Sequence, residues 1–252
     1  MATTREIAYD ADGLTMVGHL ARPVGDGACP AVLIAHDGIG LNDFQRHFAE
    51  DLADRGYVAL AMEYHGGRWF SDHEALLARV LPLIADPDRM RAIGRAALDV
   101  LLAEPGVDSG RIAGVGFGAG GSIELELARG GVPFQALALI HPGLPVAAPE
   151  DWSGVTGTYL LATGSQDPLC TPAQVLAFTP ALQEAGVDWR VNVYGGAKHA
   201  FWHPPVRPDG TLSDADEHDQ SGLDHAAYHP QHARRAWRDV LDLLAERLPV
   251  TA

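Results

Sequence analysis

Cysteine is scarce in this chain of 252 residues, with only Cys29 and Cys170. Two thiols cannot build a disulfide framework, so an apolar core must hold the fold. Free thiols suit a reducing compartment, which points to the cytoplasm. Basic residues are also few, 18 Lys and Arg against 33 Asp and Glu, giving a formal charge of −15. Nucleic acids and anionic membranes are held by clustered cations, so neither is expected as a partner. No run approaches the ~20 apolar residues of a membrane span. The opening residues, MATTREIAYD, lack the basic segment and apolar run of a secretory signal. Internal repeats and low-complexity linkers are missing as well, so residues 1–252 read as one domain. What remains is ordinary for a folded protein, 47% hydrophobic and 20% charged.

Strand-like and helix-like segments alternate along that domain. Residues 7–9 and 15–21 flank Asp12-Gly13 and predict an opening hairpin. AVLIA at 31–35 is a continuous apolar run, as a strand buried on both faces requires. Further strands are expected at 57–62, 111–115, 136–140, 158–162 and 189–194. Helical periodicity covers 44–55, 90–102, 119–128, 172–185 and 232–248. This alternation predicts an α/β fold, a mostly parallel central sheet with helices on both faces. Such sheets bind ligands beyond the carboxyl ends of their strands. Asp37, Glu63, Gly118, His141, Asp167 and His199 all fall just past predicted strand ends and share that rim. Two segments, 65–88 and 204–230, look like insertions and read either as lids or as plain loops.

The rim carries one unusual turn. Residues 111–121 read RIAGVGFGAGG, a strand entering a glycine turn that opens a helix. Gly116-Phe117-Gly118-Ala119-Gly120-Gly121 satisfies the dinucleotide pattern G-x-G-x-x-G. That motif needs an acid at the end of the next strand to bind a ribose hydroxyl. Here the strand ends in Leu139-Ile140-His141, so a nicotinamide or flavin site is rejected. A nucleophile elbow explains more, because its strained turn needs small neighbours. Asp167 in TGSQDP and His199 in YGGAKHAFW then follow in the chain order of an α/β-hydrolase triad. The turn position that should hold Ser or Cys is Gly118.

The whole chain resembles the dienelactone hydrolase family of the α/β-hydrolase superfamily. HDGIGLNDFQRHFAEDLADRGYVALAMEYHGG resembles its first catalytic loop, helix and strand. GVGFGAGG resembles its G-x-C-x-G-G elbow, and TGSQDPLCTP and VYGGAKHAFWHP resemble its acid and histidine segments. The resemblance implies Asp167 as triad acid, His199 as general base and Asp37 in place of a family glutamate. It implies the amides of Gly38 and Ala119 as an oxyanion hole. The family's cysteine maps onto Gly118, a departure that touches the mechanism and leaves the fold intact.

Other readings stay open residue by residue. Asp167-Pro168 also suits a simple turn, His199 a buried structural histidine, and Asp37 a cap for the helix near Asn42. His218, His225, His229 and His232 are spread through a polar stretch without metal-ligand spacing, and no metal is expected. Cys170 and Cys29 read as structural thiols, Cys170 being the one candidate for a displaced nucleophile. Ser122, four residues into the helix, should point away from the base. Arg68, Trp69, Phe70, His141, Phe201, Trp202 and His203 are the expected substrate contacts. The expected activity is hydrolysis of a small lactone or ester by a monomer or homodimer without a cofactor, His199 activating water or a substrate group. A lyase, isomerase or cyclase, and an inactive binding homologue, are the alternatives.

Overall fold

The computed structural model describes residues 2–25, 27–144, 152–202, 204–207, 210–212 and 226–250. The chain opens with the expected hairpin, β1 (Thr3–Ala11) and β2 (Leu14–Arg22). Asp12 (φ 55°) and Gly13 (φ 69°) turn it, the left-handed pair that a two-residue loop needs to match strand twist. Next come β3 (Cys29–Ala35), α1 (Asp43–Asp54) and β4 (Val58–Met62). Asn42 caps α1 by accepting from the Phe44 amide, with Gln45 completing a capping box.

Two helices follow, α2 (His73–Ile84) and α3 (Pro87–Leu102). The segment 65–88 is therefore no plain loop, since half of it is α2. Asp72 caps that helix through the Ala75 amide. Pro82 lies within its last turn, where a missing N–H and ring crowding usually argue against a helix.

The second half runs β5 (Val107–Phe117), α4 (Ala119–Arg129), β6 (Ala136–Ile140), β7 (Thr158–Gly164), α5 (Pro172–Glu184), β8 (Asp188–Tyr194) and α6 (Pro230–Arg247). The eight strands of the described residues join one sheet in the order β1-β2-β4-β3-β5-β6-β7-β8. β1, β2 and β4 pair antiparallel, and β4 through β8 are parallel. Alternate residues of each buried strand face opposite layers. Leu33 and Ala35 pack with residues of α3, α4 and α5, while Val32 and Ile34 pack with α1 and α6. The six parallel strands thus end on one rim. Among the described residues no helix is long and apolar enough to cross a membrane.

Candidate active site

The floor of the rim is the β5–α4 turn. Gly118 holds φ 51° and ψ −119°, a left-handed conformation that strains any residue with a β-carbon. Its amide donates to the Ile140 carbonyl at 3.0 Å, pinning the turn to the end of β6. Gly120 faces the backbone carbonyls of Ala35 and His36 so closely that no side chain fits. That approach seats the start of α4 against the end of β3. A β-carbon at 118, by contrast, would meet Asp37 and His141 at an ordinary 3.6 Å. The turn has the room for a nucleophile but not the residue.

Above the floor stand His199 and Asp167. The Asp167 side chain is buried at the end of β7. One of its oxygens accepts from the amides of Leu169 and Cys170, both at 2.8 Å, and the other faces His199 Nδ1 at 2.9 Å. Burial works to raise this carboxyl, but the hydrogen bond and charge of His199 and the nearby His141 hold it below the usual range. An ionised Asp167 accepts a hydrogen bond from the Nδ1–H of His199, and in that tautomer the ring's lone pair is on Nε2. The His141 ring meets His199 edge-on with centroids 4.4 Å apart.

The loop after β3 forms the opposite wall. Asp37 accepts from the Ile39 amide at 3.0 Å in a tight local turn, and Asn42, not Asp37, caps α1. The loop is fastened from beneath. Tyr64 donates to the carbonyls of His36 and Asp37 at 2.9 and 2.7 Å. His65 Nε2 donates to the Gly38 carbonyl at 2.9 Å, and its Nδ1 accepts from Arg79 at 3.2 Å. Those two bonds define a neutral tautomer, and burial pushes this imidazole well below its ordinary value. Arg79 continues to Asp12, which Arg89 also grips with two bonds of 2.6 and 2.7 Å. Glu63 accepts from the amides of His65, Gly66 and Gly67. Burial opposes its charge, yet His36 at 3.8 Å and these amides hold Glu63 ionised.

These parts enclose a cavity of about 320 Å³, within the range of small-molecule sites. Asp37, Gly38, Gly118, Ala119, His141 and His199 line its polar end. The remainder is apolar apart from His73, with Leu76, Leu77, Val80, Leu81 and Ile84 of α2 and Leu169 among its lining. Among the described residues neither Lys nor Arg lines it.

The other expected contacts stand elsewhere. Phe201 and Trp202 are buried in the α1–α6 layer, where Trp202 meets Phe48 and Phe117 edge-on. Trp69 covers Gly40, Phe70 packs on His65, and Arg68 is exposed. His203 lies outside the described residues, as do His218, His225 and most of 204–230. The His229 and His232 rings lie tilted with centroids 4.1 Å apart, and the described residues hold no metal-binding group of side chains. Burial, with Asp167 nearby, pushes the Cys170 thiol up to about 12, which leaves it inert as a nucleophile. Ser122 donates to the Gly143 carbonyl at 2.6 Å and is thereby occupied.

Sequence reasoning missed α2 as a wall of the cavity, and with it Leu169. The signal was present in Asp72 followed by apolar residues at 76, 77, 80, 83 and 84. Pro82 masked it.

Comparison with known proteins agrees with the fold. A model of the dienelactone hydrolase family matches residues 16–248. A Bradyrhizobium protein named as a probable 2-oxo-3-(5-oxofuran-2-ylidene)propanoate lactonase is 27% identical, with 94% of each chain covered. A solved structure named m3DLH is 37% identical with a TM-score of 0.87, covering 98% of this chain and 99% of its own. A dienelactone hydrolase-like promiscuous phosphotriesterase from metagenomic libraries is 29% identical with a TM-score of 0.86, covering 98% of both chains.

Proposed function

The chain belongs to the dienelactone hydrolase family and has its α/β-hydrolase fold, and we propose that it hydrolyses small, uncharged lactones or esters with water as the nucleophile. One observation carries the reading: the Asp167–His199 pair stands beside Gly118 at the polar end of a cavity lined mostly by apolar residues. His199 Nε2 takes a proton from a water above Gly118. The water oxygen bonds to the carbonyl carbon, and the carbonyl oxygen gathers negative charge. The amides of Gly38 and Ala119 receive that charge, helped by the positive end of α4. His199 then returns the proton to the leaving oxygen as the carbon–oxygen bond breaks. Asp167 stays ionised and steadies the imidazolium.

The substrate class follows from the walls. The lactonase relative is named for a propanoate, which carries a carboxylate. The phosphotriesterase relative is named for a phosphotriester, which carries no charge. A cavity whose described lining holds neither Lys nor Arg favours the uncharged kind, since a buried carboxylate needs a cationic partner. The chemistry asks for no cofactor, and one domain carries the whole site.

Steady-state and rapid-mixing kinetics on a neutral p-nitrophenyl ester test the reading. Turnover should begin without a burst and should survive iodoacetamide, because no thiol is acylated. His199→Ala should remove about a hundredfold or more of kcat. A burst, or turnover that ignores His199, would remove the proposal.

A further inference from the structure

We propose that His141 is a second catalytic imidazole, one that holds the attacking water in the place the missing side chain would fill. The inference rests on the hydrolytic reading above and adds what replaces the tether of a covalent nucleophile.

The argument begins with the backbone. His141 is the first residue beyond β6 and has φ 41°. A left-handed residue with a β-carbon is strained and persists only where the surroundings impose it. Here the His141 amide donates to Ala162 at 2.7 Å and Gly143 donates to the Gly118 carbonyl at 3.3 Å, so the bend is fixed on both sides. Its effect is to bring the ring over the elbow. The side chain is nearly inaccessible at 1% exposure, yet it lines the cavity.

The ring's position is specific. Nδ1 and Cε1 of His141 each lie 3.6 Å from where a β-carbon on residue 118 would stand. The Asp37 β-carbon lies at the same distance. With Gly118 as floor and His199 edge-on at 4.4 Å, the notch is bounded by two imidazoles and one carboxylate-bearing residue. A water seated in it can donate one hydrogen to His199 Nε2 and the other to His141 Nδ1. Its lone pairs then face the substrate carbon. The proton count closes: the hydrogen on His199 passes to the leaving oxygen, and the one shared with His141 leaves with the acid product. A covalent nucleophile is positioned by its own bonds, whereas a free water must be positioned by its hydrogen bonds.

His141→Gly is the variant of choice, because glycine accepts φ 41° without strain and the fold should survive. In the native background, kcat for a neutral ester should fall about a hundredfold, with KM little changed. Added imidazole should restore part of the loss by refilling the space. In a Gly118→Cys background a tethered thiolate attacks instead, so the same change should cost less than about tenfold. Equal losses in both backgrounds, or no rescue by imidazole, would assign His141 to packing alone and overturn the inference. Should Gly118→Cys prove inert, rescue in the native background decides. Native turnover that is indifferent to His199→Ala would instead remove the hydrolytic reading itself, a result distinct from any of these.

Discussion

Gly118 sets two properties against each other at one residue. Its φ of 51° is the conformation that a nucleophile elbow forces on serine or cysteine, and glycine holds it without strain. Space is no obstacle, since the nearest atoms to a β-carbon lie at 3.6 Å. Gly118→Ala should therefore fold and still lose about 1–3 kcal/mol, a cost of backbone strain alone. Urea unfolding measures it, and an unchanged midpoint would mean that the turn relaxes when substituted. Asp167 and His199 were legible in the sequence because short motifs surround each of them. Tyr64 and His65 were not. Both act on the carbonyls of 36–38, and a side chain that bonds to backbone leaves no pattern of partner residues. Phe201 and Trp202 misled because nearness in sequence to His199 does not fix direction. Ala200 at φ 54° bends the chain just after His199, and the two aromatic residues that follow enter the core.

In the proposed reading, specificity rests on helix α2. It supplies five apolar side chains to the cavity, with Leu77 and Leu81 partly exposed at 37% and 57%. Outside the cavity it is anchored by Arg79, which joins His65 under the Gly38 loop to Asp12 in the hairpin. The wall and the Gly38 loop are thus held by one side chain. Leu76 and Val80 meet this loop, Leu76 Cδ1 lying 3.1 Å and Val80 Cγ2 3.3 Å from where a Gly38 side chain would stand. Leu76→Ala should erode the preference for longer acyl chains while sparing chemistry on acetate. The ratio of kcat/KM for hexanoyl over acetyl esters should fall about tenfold, as expected for lost contact with one or two methylenes. A ratio that does not move would place the acyl chain elsewhere. Reading α4 from periodicity was incomplete for a related reason. The helix is buried almost all round, so Glu124 and Glu126 are interior. Glu126 pairs with Arg91 and Arg129, and burial pushes Glu124 well above the ordinary carboxyl range. Periodicity finds a helix but does not say how many of its faces are covered.

At the scale of the whole molecule, parallel strands covered on both faces announced themselves as apolar runs, and a mostly parallel sheet followed from βα alternation, though the order of its strands did not. The charge also acts at this scale. A formal −15 surrounds a cavity whose described lining has neither Lys nor Arg. An anionic ester is therefore opposed twice, by repulsion on approach and by loss of hydration inside. Salt separates the two effects. Raising ionic strength from about 0.01 M to 0.1 M shortens the screening length from about 30 Å to about 10 Å. The kcat/KM of a carboxylate-bearing ester should then rise severalfold, while that of its neutral methyl-ester counterpart stays level. The anionic compound should remain the poorer substrate even in high salt, because screening does not reach the desolvated interior. Equal rates at high salt would locate all the discrimination in the outer field. A carboxylate-bearing ester preferred at every ionic strength would show that a cation reaches the bound ligand, and would overturn the uncharged substrate class.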